Sequence, residues 1–306
     1  MTILSTSTSA FFNRARGEMT TLRARSEKLQ AQIGSEARLT RSSDDPVAAS
    51  RLRNLARADM LSNIDNSNAK HATADLSIAD ATMSDIARAV TRAQELAGQA
   101  ATGIVSDTQR ASIGKEMASI HDTLLALANT RDSSGHALFG GENATEAYTL
   151  DAEGNATYAG TQSAGELPLG DGQTISRSMT GPEFLSFQVK GVDTDLLSTV
   201  KSLADALQSG TVDGVAAARG GLDALAAGLE AVTTGQTVVG TRLAWIDLTS
   251  ERRTNLGELR ADEQKDVGGI DLATSIARLK EMMVVLEASQ ASFTRLSQLS
   301  LFNQLN

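Results

Sequence analysis

The chain has 306 residues, 41% hydrophobic but only 3% aromatic, with no cysteine and three prolines. The missing cysteines exclude disulfides, thiolate metal sites and cysteine nucleophiles, and a formal charge of −9 argues against general nucleic-acid binding. Small and aliphatic residues without large aromatics suit helix-on-helix seams better than the thick core of a globular enzyme.

Residues 11–40 read as a first helix. Phe12, Met19 and Ile33 share one seven-residue phase and Leu22 and Leu29 share its companion, a 3.5-residue repeat that wants a partner helix. The opening MTILSTSTSAFFNR lacks the basic start and longer apolar stretch of a cleaved secretory signal. Residues 1–57 hold ten Lys/Arg and five Asp/Glu, so this end is net +5 and the remainder −14. Mixed charges on a helix read as a solvated face or as pairing between subunits.

A Ser-Ser-Asp joint follows, and Asp45 before Pro46 is a helix start: the carboxylate accepts free backbone N–H groups, and proline is tolerated at the first helical position. For Asp44-Asp45 this capping role outweighs a catalytic carboxylate pair. The second helix runs from Pro46 towards residue 100. In it Leu76, Met83, Val90 and Ala97 fall seven apart, as do Ala79, Ile86, Ala93 and Ala100, with small residues that permit close helix approach. After a break at Gly103 the pattern resumes at Ile113, Met117, Ile120, Leu124 and Leu127.

From residue 132 to about 192 the texture becomes glycine-rich and holds both tyrosines and two of the prolines. Tyr148–Leu150 and Ala156–Tyr158 flank a turn and predict a β-hairpin, with further short strands around Leu167–Leu169, Thr174–Ser176 and Phe184–Val189. Helix returns over Leu196–Leu207, breaks near Gly210, and then keeps a three-four rhythm through Leu222, Leu225, Leu229, Val232, Val239, Leu243 and Ile246 to about residue 262. Gly268-Gly269 forms a second joint and Asp271 caps the last helix. There Leu272, Leu279, Leu286 and Phe293 fall seven apart, with Ile276 and Met283 four residues after the first two.

The fold class expected is mainly α: a long antiparallel helical bundle or coiled coil with a small β-rich insert between two helical halves. Its segments are 1–42, an N-terminal coiled-coil segment; 43–131, the first inner half; 132–192, the outer insert; 193–267, the second inner half; and 268–306, a C-terminal coiled-coil segment. The halves can run antiparallel, with the termini together at one end and the insert at the other. Two thin terminal helices have no third layer to close their seam, so they are expected to be mobile in the monomer and ordered on assembly.

Reactive chemistry is hard to place. His71, His121 and His136 are scattered outside any metal-ligand spacing, and His121-Asp122 are expected to point apart on their helix. No Gly-x-Ser-x-Gly elbow occurs, and Gly135–Gly141 lacks the Lys-Ser/Thr ending of a phosphate loop, so it reads as a helix-to-strand connection. Trp245 fits core or interface better than a ligand platform. No enzyme activity, cofactor or metal is expected, and no run of 18 apolar residues predicts a membrane span. The terminal stripes read either as an ordinary intramolecular coiled coil or as an assembly interface made of Phe12, Met19, Leu22, Leu29, Ile33, Leu272, Ile276, Leu279, Met283, Leu286 and Phe293. Asp45, Pro46 and Asp271 mark its joints.

Several stretches resemble the flagellin superfamily and, within it, the hook-filament junction proteins. They are Arg41-Ser42-Ser43-Asp44-Asp45-Pro46-Val47-Ala48-Ala49-Ser50, the run Asn129 to Gly141 ending Leu138-Phe139-Gly140-Gly141, the hairpin with Gly154 to Gly160, and the ending Leu286-Glu287-Ala288-Ser289 through Ser300-Leu301-Phe302-Asn303-Gln304-Leu305. The likeness covers the chain in order. Flagellin's usual serine-serine-glycine run is absent before the Asp-Asp-Pro joint. The resemblance implies unfolded export by the flagellar type III apparatus, a dedicated chaperone on the C-terminal helix, and a ring of subunits at the junction. Flagellin would stack on one side through the terminal helices, with another hook-associated protein on the hook side. Neither nucleic acid nor membrane insertion is implied. The alternatives are a short flagellin forming the filament itself, or a secreted binding module or adhesin.

Overall fold

The computed structural model describes residues 3–102, 104–142, 145–209 and 213–302, with side chains described within 10–298 of that span. The described residues form seven helices and six short strands. In chain order they are α1 (Ile3–Ser35), α2 (Pro46–Ala100), α3 (Asp107–Ala128), β1 (Tyr148–Leu150), β2 (Ala156–Tyr158), β3 (Glu166–Gly170), β4 (Gln173–Ser176), α4 (Gly181–Leu185), β5 (Ser186–Val189), β6 (Val192–Asp195), α5 (Leu196–Ser209), α6 (Gly214–Gly268) and α7 (Leu272–Phe302). The mainly helical class with a small β insert between helical halves is what the periodicity predicts. Gly103, Gly210 and the Asn303-Gln304-Leu305 end of the last motif lie outside the described residues.

The chain divides into two compact units, residues 1–60 with 255–306, and residues 61–254. In the second unit both heptad phases of α2 are sealed. Leu76, Ala79, Met83, Ile86, Val90, Ala93, Ala97 and Ala100 have no accessible surface. Against them lie Leu225, Val232, Val239 and Ile246 of α6, and a second layer in which α3 packs on α5 through Met117, Leu124, Leu197, Val200 and Leu207. Ser106 starts α3 with a capping box: its hydroxyl accepts from the Gln109 N–H, and the Gln109 side chain accepts from the Ser106 N–H.

Two glycines of α6 sit where neighbouring side chains leave no room for a Cβ. A Cβ on Gly235 of α6 would lie 2.7 Å from Phe184 Cβ and 3.6 Å from the end of Met83, and one on Gly228 would lie 2.8 Å from Leu196 Cδ1. The insert is three separate antiparallel hairpins, β1–β2, β3–β4 and β5–β6, rather than one sheet. The first has Tyr148 opposite Tyr158 and Leu150 opposite Ala156, around the turn read from the sequence.

Three details correct the sequence reading. The first helix is Ile3–Ser35 rather than 11–40, because Glu36 adopts a left-handed backbone (φ 53°) that ends it. Phe184 and Leu185 are helical rather than strand. Thr180 and Glu183 cap the short α4, with Pro182 in its first turn, and the strand begins only at Ser186. The next strand, Val192–Asp195, went unread because three of its four residues are polar.

Candidate assembly interface

In the unit made of 1–60 and 255–306, α1 and α7 lie side by side and antiparallel. The Phe12 and Phe293 rings meet edge to face, centroids 5.3 Å apart, and beyond the far end of α1 Ala37 bridges Gly269. Between these anchors each seven-residue step along α1 matches a seven-residue step back along α7. Met19 falls level with Leu286, Ile33 with Leu272, Leu22 with Met283 and Leu29 with Ile276. The gap in the first phase, at position 26, is filled by Ser26, which is buried and level with Leu279; Ser275 is buried on α7. Neither serine belongs to an apolar stripe, so periodicity passes over both.

This seam is open. Phe12, Met19, Leu22, Leu29, Ile33, Leu279, Leu286 and Phe293 are half-buried, while Leu272, Ile276 and Met283 remain about 40% exposed. Phe11, Val284, Val285 and Leu296, which the stripes do not include, are exposed as well. Among the described residues of α1 and α7, no apolar side chain reaches full burial. On one side the pair forms an apolar groove lined by Phe11, Met19, Leu22, Val285, Leu286 and Leu296. Two helices bury one stripe each; leaving this much apolar surface in water is unfavourable at roughly 25 cal/mol per Å².

The two joints are tied to each other. The Arg38 N–H donates to the Gly268 carbonyl at 2.8 Å, and its guanidinium donates to the Val267 carbonyl at 2.8 Å. Lys28 pairs with Asp44 at 2.9 Å, and Thr40 donates to the same carboxylate. The Lys28 ammonium and the Thr40 hydroxyl hold the Asp44 carboxyl down at about 2. Asp45 Oδ1 accepts from the Ala48 N–H at 3.0 Å, ahead of Pro46, and Asp271 Oδ1 accepts from the Thr274 N–H at 3.2 Å. Each carboxyl is lowered, first by those helix-start bonds: Ala48 N–H for Asp45, and the Thr274 side chain and N–H for Asp271. Arg38 carried no sequence signal, since a clamp between residues 230 apart in the chain leaves no local pattern; Lys28 and Thr40, 16 and 4 residues from Asp44, lie outside the apolar stripe that periodicity reads.

Elsewhere reactive groups are tied up or isolated. His121 is buried, with Nδ1 3.5 Å from the Asp122 carboxylate and Nε2 without a partner among the described residues. The two side chains approach each other, although His121 is buried and Asp122 is exposed. His71 is exposed, and His136 sits 3.7 Å from Asp132. Arg177 lies between two buried carboxylates, 3.4 Å from Asp75 and 3.5 Å from Asp132. No group of three metal-ligating side chains occurs among the described residues. Trp245 is 42% exposed, so it is not core.

Comparison with known proteins favours one of the readings. The bacterial flagellin N-terminal helical region matches residues 6–144. Flagellar hook-associated protein 3 of Escherichia coli K12 is 27% identical over 290 residues, covering 90% of this chain and 91% of that one. Its Salmonella typhimurium LT2 counterpart is 27% identical over 321 residues, covering 98% and 99%. The chain is thus similar over nearly its whole length to flagellar hook-associated protein 3, which supports the reading as a hook-filament junction protein. A solved putative hook-associated protein from Vibrio parahaemolyticus shares this chain's fold, with a TM-score of 0.67 at 21% identity over 74% of this chain and 100% of that one. These relatives are structural flagellar proteins, which points away from catalysis. No described helix of the chain is long and apolar enough to cross a membrane.

Proposed function

We propose that the α1–α7 pair is the layer through which this junction protein assembles. Subunits form a ring between hook and filament, flagellin stacks on one side through the same terminal helices, and another hook-associated protein lies on the hook side. The observation that carries this reading is the open seam: a two-helix layer with no fully buried apolar side chain and exposed Phe11, Met283, Val285 and Leu296 is completed by further helices. Before assembly the same apolar surface needs cover, which suits a chaperone on the C-terminal helix and unfolded export through the flagellar type III apparatus. The terminal pair orders fully only in the ring, and the hairpin insert is displayed outward.

The experiment is a deletion strain. Loss of the junction protein leaves a hook that forms while flagellin leaks into the medium, and the full-length chain restores filaments. A strain that keeps normal filaments without it contradicts the proposal. A strain with bare hooks and no flagellin in the medium points to a short flagellin instead.

A further inference from the structure

Within the unit 61–254, the β3–β4 hairpin lies along the α2–α6 pair and is fastened to both helices at both of its ends. At its base the Arg177 guanidinium reaches Asp75 of α2 at 3.4 Å. Beside it the Ser178 hydroxyl donates to the Leu138 carbonyl at 2.6 Å, and Arg242 of α6 donates to the Ser178 carbonyl at 2.7 Å. At its tip Asn68 of α2 donates to the Pro168 carbonyl at 2.9 Å, and Arg253 of α6 donates to the Leu169 carbonyl. A register shift between Pro168 and Gly170 leaves Leu169 out of the strand ladder, and its side chain is buried. Gly170 adopts φ 88°, and a Cβ there would run into the Asp65 carboxylate of α2.

The hairpin sits where the bundle thins. Arg92 of α2 pairs with Glu116 of α3 at 2.7 Å, so in antiparallel helices α3 ends level with about residue 80 of α2. Gln208 of α5 donates to the Gly114 carbonyl at 3.1 Å, which sets the first residue of α5, Leu196, beside the end of α3. From there to residue 61 neither helix covers the α2–α6 pair. Two helices alone share only one face, and the α1–α7 pair shows the result: none of its described apolar side chains is fully buried. Yet Ala69, Ala72 and Leu76 of α2 and Ile246 of α6 are buried. The third layer over this stretch is the hairpin. The opposite side of the pair is an open groove along Asn66, Ala69, Thr73, Ser250 and Thr254.

We propose that the β3–β4 hairpin is a strap that holds α2 and α6 together where only two helices run, and that Arg253 is the residue that fastens it. Arg253 is buried, and its partners are all neutral: the Leu169 carbonyl, Asn66 Oδ1 at 2.9 Å and Ser250 Oγ at 3.1 Å. A buried guanidinium without a carboxylate is costly unless its hydrogen bonds are made. Its donors find acceptors on α2, α6 and the hairpin at once only when all three are in contact, so the charge selects the closed arrangement. The base is held by an ion pair to α2, and the tip is held by these neutral acceptors and one buried leucine. Release therefore starts at the tip, and the freed stretches of α2 and α6 splay apart towards residues 61 and 254. This inference concerns the inner unit and does not rest on the assembly reading.

The test measures distances between spin labels in the purified full-length chain. The sequence has no cysteine, so Ser67→Cys/Leu248→Cys places two labels on exposed positions of α2 and α6 in the strapped stretch. Thr91→Cys/Glu230→Cys, also exposed, is the control pair where α3 and α5 cover the helices. Arg253→Met removes the fastening charge. Gly170→Ala leaves Arg253 in place and prises the tip off through Asp65 and the left-handed backbone. With the natural Arg253 and Gly170, both label pairs are expected to give one narrow distance. In each variant the Ser67–Leu248 distance is expected to lengthen and broaden by several ångströms, with the control unchanged. An unchanged Ser67–Leu248 distance in either variant overturns the strap. A control pair that also lengthens shows that the loss spreads through the four-helix core, and overturns the local role assigned to the hairpin.

Discussion

Two sets of carboxylates in this chain respond to acid in opposite directions. Burial lifts the Asp75 carboxyl above its ordinary value; the Arg177 guanidinium opposes the lift and Asp132 reinforces it. The folded chain therefore binds this proton at higher pH than the unfolded chain, so the site favours folding as pH falls through the raised value and burdens it as pH rises. Asp44, Asp45 and Asp271 at the joints are depressed. Their stabilisation is complete above about pH 4, the unfolded carboxylate value, and is lost as pH falls through the lowered ones, which for Asp44 means about 2. Acid should thus loosen the joints before it harms the hairpin anchor. At neutral pH, Arg177→Leu leaves a buried carboxylate without its counter-charge and should cost about 1–2 kcal/mol in thermal or urea unfolding. Asp75→Asn in the same chain should recover most of that loss. A double variant as unstable as the single one would show that Arg177 acts through packing alone.

At the scale of elements, the inner helices depend on glycine as much as on leucine. Gly235→Val would drive a branched side chain into Phe184 and Met83, where a Cβ already falls 2.7 Å from a neighbouring Cβ. The expected loss is about 1–3 kcal/mol in urea unfolding, since overpacking forces α6 away from α2 and α4. An unchanged midpoint would mean that the helices separate there without strain. The α2 heptads and the first hairpin were legible because seven-residue apolar spacing and a turn between two alternating runs are local signals. Phe184 was misread because an aromatic residue among β formers outweighed the capping pattern Thr180–Pro182–Glu183 just before it. The candidate interface was legible only in part. Its stripes show as periodicity, but Ser26 interrupts one of them, and Phe11, Val285 and Leu296 lie off the heptad phase. The Arg38–Gly268 link joins segments no local pattern connects.

At the scale of the whole molecule, two kinds of helix pairing coexist in one chain. The inner pairing of α2 with α6 and of α3 with α5 closes on itself, and its seam residues are sealed from water. The terminal pairing of α1 with α7 does not close, although its heptads match as regularly. The difference is the number of layers: four helices enclose a core, and two share only one face. That contrast supports the proposed assembly through the terminal unit, with the inner unit a folded body that carries the hairpins. It also separates folding from assembly, so changes in the terminal pair should spare the inner unit. The most direct measurement compares two full-length variants in a strain lacking the natural chain. Leu286→Asp/Phe293→Asp strikes the seam, and Val285→Asp/Leu296→Asp strikes the open groove while leaving the seam intact. Both should keep the high-temperature unfolding transition of the inner helices yet leave bare hooks and flagellin in the medium. Normal filaments and swimming from the groove variant would contradict assembly through the terminal helices.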